Sequence, residues 1–210
     1  KITVAKTGIT VPGNERIVIG NNFIFDLGIL PGDTATYYLS VSDVGPMRAI
    51  VRVGTIEDFF KSESVVNFWQ GAYFGVMMLM ALYNLFLYFT GWKKVYLYYV
   101  FYIVATSFFI AFFTGYINYF PDWFIATYIH LPSLFPAIFG FFGLLFTIEF
   151  LNTKESVPKW HRIIVVYSYL VFVPFLLSVF DQQRLSVIGI QLLGLGFAYI
   201  CLTVGLKVKK

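Results

Sequence analysis

Charge is scarce in this chain. Asp, Glu, Lys and Arg make up 12% of its 210 residues, half the roughly 25% that a soluble domain carries. That excludes a water-faced globule over most of the length. Cysteine is nearly absent: the single Cys201 allows no internal disulfide and no thiolate metal site, and its setting in an apolar run marks it as a small packing residue. Only two histidines occur, His130 and His161. No nucleophile elbow, phosphate-binding loop, dinucleotide fingerprint or zinc-ligand spacing is present. Nothing in the chain therefore reads as a catalytic residue, a metal ligand or a cofactor-binding residue, and no cofactor and no enzymatic activity are expected of it.

What fills the chain instead is 59% hydrophobic and 21% aromatic. From Phe68 onward the apolar residues form five runs, 68–89, 95–114, 131–150, 163–180 and 185–206. At ~1.5 Å rise per residue, a helix of such length crosses a hydrocarbon layer of roughly 30 Å. The first run holds about nine Leu, Ile, Phe and Val, worth roughly −3 to −5 kcal/mol of insertion before Asn84 subtracts. The expectation is an integral membrane protein, an all-α bundle with the lipid bilayer as its partner.

The formal net charge of +4 does not point to nucleic acid, because of where the charge sits. Before residue 68, Lys1, Lys6, Arg16, Arg48, Arg52 and Lys61 are balanced by Glu15, Asp26, Asp33, Asp43, Glu57, Asp58 and Glu63. The excess lies in alternate breaks between the runs: Lys93 and Lys94, then Lys154, Lys159 and Arg162, then Lys207, Lys209 and Lys210. The other breaks, 116–130 and 181–184, hold only Arg184. Such asymmetry assigns the basic breaks to the cytoplasm and residues 1–67 to the outside. Trp69, Trp92, Tyr116, Tyr119, Trp123 and Trp160 fall at run ends, as an aromatic belt requires. The histidines then lie on opposite sides and cannot share a metal.

Residues 1–56 read as β-structure. Ile17, Val18 and Ile19 precede the turn signal Gly20 Asn21 Asn22, and Phe23, Phe25 and Leu27 share one face by the two-residue period of a strand. Pro31, Gly32 and Asp33 mark another turn, with further strands over 37–42 and 48–53. This spacing predicts the C-terminal part of a β-sandwich or jelly roll. Residues 57–67 form a charged connector, and 207–210 begin a cytoplasmic loop. The chain opens at Lys1 without Met or leader and closes at Lys210 just after an apolar run, which reads as a piece of a longer protein.

Within the runs, Glu149 is the one intramembrane charge, set one residue before the end of the third run near Lys154. It is expected to be an interfacial, snorkelled or paired carboxylate rather than a proton site. Asn84 and Gln191 are the deeper polar groups, expected to tie helices together. Gly71-x-x-x-Gly75 and the Gly140/Gly143 pair permit close helix approach, while Pro132, Pro136 and Pro174 bend helices or mark their ends. Phe23, Tyr37 and Tyr38 either pack a β-core or stack on a sugar ring.

The order of features resembles a known family. Phe23 Ile24 Phe25 Asp26 Leu27, Pro31 Gly32 and Tyr37 Tyr38 Leu39 Ser40 Val41 Ser42 precede a Gly71-Ala-Tyr-Phe-Gly75 helix start and Leu82 Tyr83 Asn84 Leu85 Phe86 Leu87. Lys94 Val95 Tyr96 Leu97 Tyr98 Tyr99 then opens the second helix, and Glu149 Phe150 Leu151 with Pro158 and Arg162 closes the third. Over nearly its whole length the chain resembles the bacterial seven-transmembrane receptors with diverse intracellular signalling modules (7TMR-DISM). That resemblance implies a carbohydrate-binding-like jelly roll outside and seven helices in the inner membrane. It also implies a cytoplasmic output module such as a histidine kinase or diguanylate cyclase; such outputs usually work as dimers, which makes a homodimer a candidate and leaves the oligomeric state open. It carries no catalytic residue onto this chain. A transporter or channel, or a membrane enzyme whose active site lies elsewhere, are the competing readings.

Overall fold

The computed structural model describes residues 5–9, 11, 20–29, 32, 34–41 and 51–208, and the last of these stretches is almost wholly helical. Helix α1 (Ile56–Gly91) has 36 residues and rises about 54 Å, well beyond a hydrocarbon layer. Thr55 caps it by accepting the Asp58 amide at 3.1 Å, and Glu57 and Asp58 in the first turn suit the positive end of the helix dipole. Residues 57–67, expected as a connector, are thus the first three turns of α1. The helix stops where Trp92 turns left-handed (φ 49°), its amide donating to the Tyr88 carbonyl at 2.7 Å.

Helix α2 (Lys94–Phe113) returns at once, and α4 (Leu134–Phe150) runs antiparallel beside it. The pairing is aromatic: Tyr99 with Phe146 at 5.1 Å, Phe101 with Phe142 at 4.7 Å, Phe108 with Phe135 at 5.1 Å, centroid to centroid. Between them lie a 3₁₀ turn (Tyr116–Tyr119) and α3 (Asp122–His130). The third apolar run is not one straight rod. α3 and α4 meet at 73° across a break containing Pro132, where the proline ring and missing amide forbid a continuous helix. His130 at this corner has its carbonyl taken by Gln183 Nε2 at 2.8 Å and Ser178 Oγ at 3.4 Å, which holds the bend against the α7–α8 turn.

Short α5 (Thr153–Ser156) leads into α6 (Pro158–Leu170) and α7 (Val173–Val179), interrupted at Val171 and Phe172 but continuing in one span, and α8 (Gln183–Val208) ends the described chain. Among the described residues four stretches are long and apolar enough to cross a membrane, five when the bent α3–α4 pair is counted as one. Helix α4 is the hub, packing on α2, α6 and α8, with a core of Leu144, Ile164, Val171, Ile200 and Val204. Among the described residues the buried polar side chains are Asn118 and the small hydroxyls of Ser133, Thr153, Ser168, Ser178 and Ser186, whereas Leu79, Phe86, Leu192 and Leu195 are about two-thirds exposed. A bundle that hides serine and displays leucine is built for lipid.

The glycine expectations divide. Nothing lies within 4 Å of a Cβ placed at Gly71 or Gly75, so that motif makes no close approach among the described residues. At Gly143 a Cβ would sit 3.0 Å from Phe197 and 3.1 Å from Tyr102, so this glycine lets α4 approach both α2 and α8.

No strand occurs among the described residues. Phe23–Leu27 and the described part of 37–42 are non-regular, and a strand exists only as one partner of a hydrogen-bonded ladder. The expected strand at 17–19, the start of that at 48–53 and the turn residues Pro31 and Asp33 lie outside the described residues.

Candidate functional site

The expected Gly20 Asn21 Asn22 turn rests on the end of the bundle away from the lysines. Asn21 Nδ2 donates to Asn67 Oδ1 on α1 at 2.9 Å, and Tyr116 OH donates to the same oxygen at 2.9 Å. Asn22 Nδ2 donates to Glu63 Oε1 at 2.6 Å, one helical turn earlier. From the other side, Asn118 Nδ2 donates to the Gly20 carbonyl at 3.0 Å. Asn118 is 7% exposed and its Oδ1 has no partner among the described residues, nor has Asn21 Oδ1. Gly115 closes the junction: its φ is +80° and a Cβ there would overlap the Asn21 carbonyl. Only glycine serves at that position.

Ile9 adds an apolar contact nearby, against a cluster of Ile117, Ile125 and Tyr128. Three separate parts of the chain, the N-terminal segment, the head of α1 and the 3₁₀ turn, therefore share one hydrogen-bonded seam. Beside it, between α1 and α2, lies a mainly aromatic cleft of about 660 Å³ lined by Phe74, Phe108, Tyr116 and Phe120. The arrangement holds no acid–base pair. Its chemistry is positional: displacing the turn at 20–22 breaks bonds to both α1 and the α2–α3 connection.

The residues singled out from sequence fall elsewhere. Among the described residues Asn84 and Gln191 do not tie helices together. Asn84 donates to the Met80 carbonyl of its own helix at 2.8 Å, and Gln191 is exposed on α8. Asn84 and Glu149 do converge, on a cleft of about 810 Å³ at the basic end that Lys93 and Lys94 also line. Glu149 is exposed there and forms no ion pair with Lys154. His161 Nδ1 bonds to buried Thr153 Oγ1 at 3.0 Å, and Cys201 lies 3.7 Å from Thr147 Oγ1, each a packing contact. Phe23 and Tyr37 are about half exposed and Tyr38 is 94% exposed. Lys207 Nζ lies 4.8 Å above the Trp160 ring, so the ends of α8 and α6 share the basic side.

Sequence reasoning flagged Gly20 Asn21 Asn22 as a turn but missed its partners. Asn67, Asn118 and Glu63 carry no local signal; only the fold brings them to positions 20–22.

No curated protein and no solved structure matches the chain. A family model described as "7TM diverse intracellular signalling" matches residues 66–210. The match begins beside Asn67, so the seam lies where the family's membrane bundle meets the segment before it. With apolar helices packed through α4 and more than half its length matched, this chain is a multi-pass membrane protein of the 7TM diverse intracellular signalling family.

Proposed function

We propose that this chain is the membrane portion of a bacterial inner-membrane receptor, with the segment before α1 outside the cell and the lysine-rich end in the cytoplasm. A ligand bound on the outside, with a carbohydrate as the candidate, shifts the bundle between two packings, and a cytoplasmic output module reads the shift. On this reading the chain transmits a signal and catalyses nothing itself. The observation that carries it is the asparagine seam, which links the N-terminal segment to α1 and to the α2–α3 connection at once. A ligand moves such an equilibrium only through its differential affinity for the two packings, and the seam is where that difference enters the bundle.

The outside segment is read as part of a jelly-roll sensor domain, on the strand-like spacing of 17–27 and 37–53. The orientation rests on the cationic bias of alternate breaks.

The test splices the chain ahead of a known kinase or cyclase output and titrates a panel of sugars in cells. A sugar that binds changes output in the parent, whereas Asn67→Ala with Asn118→Ala retains binding and loses most of the output change. A sugar that demonstrably binds the parent without changing output sinks the coupling.

A further inference from the structure

The cleft at the basic end has no part in the seam, yet it gathers the charges that the rest of the bundle avoids. Lys93 and Lys94, at the α1–α2 turn, line one side, and Glu149, at the end of α4, lines another. None of these three side chains has a hydrogen bond or ion pair among the described residues. Trp92 and Tyr96 at the rim are residue types that settle at the headgroup level, and Phe146 makes an apolar wall. Asn84 sits seven residues before the end of α1, roughly 10 Å deeper. Its Nδ2 is engaged by Met80, leaving its carbonyl oxygen and second N–H for another group.

Two lysines and a carboxylate, none of them paired among the described residues, sit together at the level where helices leave the lipid, and a partner that satisfies all three must carry both signs. A simple anion would satisfy the lysines and leave Glu149 facing negative charge. A simple cation would do the reverse.

We propose that this cleft is a lipid site for a phosphoethanolamine headgroup. The phosphate pairs with Lys93 and Lys94, the primary ammonium donates to the Glu149 carboxylate, and Asn84 lies at the depth of the glycerol esters. Charge complementarity selects the occupant: the headgroup carries charge of both signs, and the cleft is lined by two lysines and one carboxylate. A primary ammonium brings N–H donors that a carboxylate accepts as charge-assisted hydrogen bonds. The site is independent of which way the chain is threaded and of the receptor reading.

The test purifies the full chain in mild detergent and measures retained lipid by native mass spectrometry. Phosphatidylethanolamine, phosphatidylglycerol and phosphatidylcholine are added at equal concentration, with inorganic phosphate in a separate arm. Phosphatidylethanolamine is retained about tenfold over phosphatidylglycerol, the scale of one charge-assisted hydrogen bond. Glu149→Gln removes that preference while leaving phosphatidylglycerol bound. Glu149→Asp, which keeps the charge, preserves it, and Lys93→Gln with Lys94→Gln lowers retention of every phospholipid. Equal retention of phosphatidylglycerol, binding of inorganic phosphate alone, or a preference unmoved by Glu149→Gln overturns the proposal. So does a cleft that takes up no lipid because a second copy of the chain fills it.

Discussion

Gly196 and Gly75 are both glycines on apolar helices, yet a methyl group added at each meets different surroundings. At Gly196 it would strike the Tyr167 hydroxyl, which donates to the Leu193 carbonyl at 2.6 Å and so pins α6 to α8. Gly196→Ala is expected to destabilise the chain by about 1–3 kcal/mol, through overpacking. Tyr167→Phe removes the struck oxygen, so the double variant should melt less far below the parent than the single effects summed. Gly75→Ala meets nothing within 4 Å and should leave the thermal midpoint unchanged or higher, alanine being the better helix former by about 1 kcal/mol. Thermal unfolding of the parent and the four variants in detergent checks all of this. The sequence flagged Gly71 and Gly75 by their four-residue spacing, but spacing says nothing about whether a partner helix lies opposite.

At the scale of elements, the apolar runs announced the helices, because no other structure satisfies backbone hydrogen bonds within lipid along a single segment. Their ends were harder to read. Helix α1 continues through Lys61 and Glu63 to Ile56 because its upper turns leave the hydrocarbon, where charged residues cost nothing, and Thr55 supplies a cap. Thr55→Ala should release about 1 kcal/mol of that cap, so amides over 56–60 exchange about fivefold faster while those over 70–88 hold. Hydrogen exchange followed by mass spectrometry measures it. The bend before α4 was signalled only by Pro132. Its direction follows from His130 accepting bonds from Ser178 and Gln183 some 48 and 53 residues onward, contacts that no local pattern encodes.

Taken whole, the molecule is polarised. Lys93, Lys94, Lys154, Lys159, Arg162 and Lys207 gather at one end, and the asparagine seam with Asp122 and Asp181 lies at the other. If the basic end faces the cytoplasm, an impermeant thiol reagent on intact cells should label Asp181→Cys and spare Lys94→Cys until the membrane is opened. The reverse pattern would invert the topology and move the N-terminal segment inside. The native Cys201 is half-buried in α8 and stays unlabelled in either case.

Short motifs carried the family resemblance, whereas hydropathy was enough to establish a multi-pass helical membrane protein and the order of its apolar runs. These are properties of segments summed over about 20 residues, to which each side chain contributes wherever its neighbours lie. The fold alone chose which polar residues meet. Asn84 and Gln191, both side-chain amides in apolar runs, end up on a charged cleft and on an exposed face. Asn21, legible only as part of a turn, and Asn67 and Asn118, unremarkable in their local contexts, become one seam. A hydrogen bond depends on atoms within about 3 Å, and only the packing of α1, α2 and the 3₁₀ turn brings residues nearly a hundred positions apart to that distance.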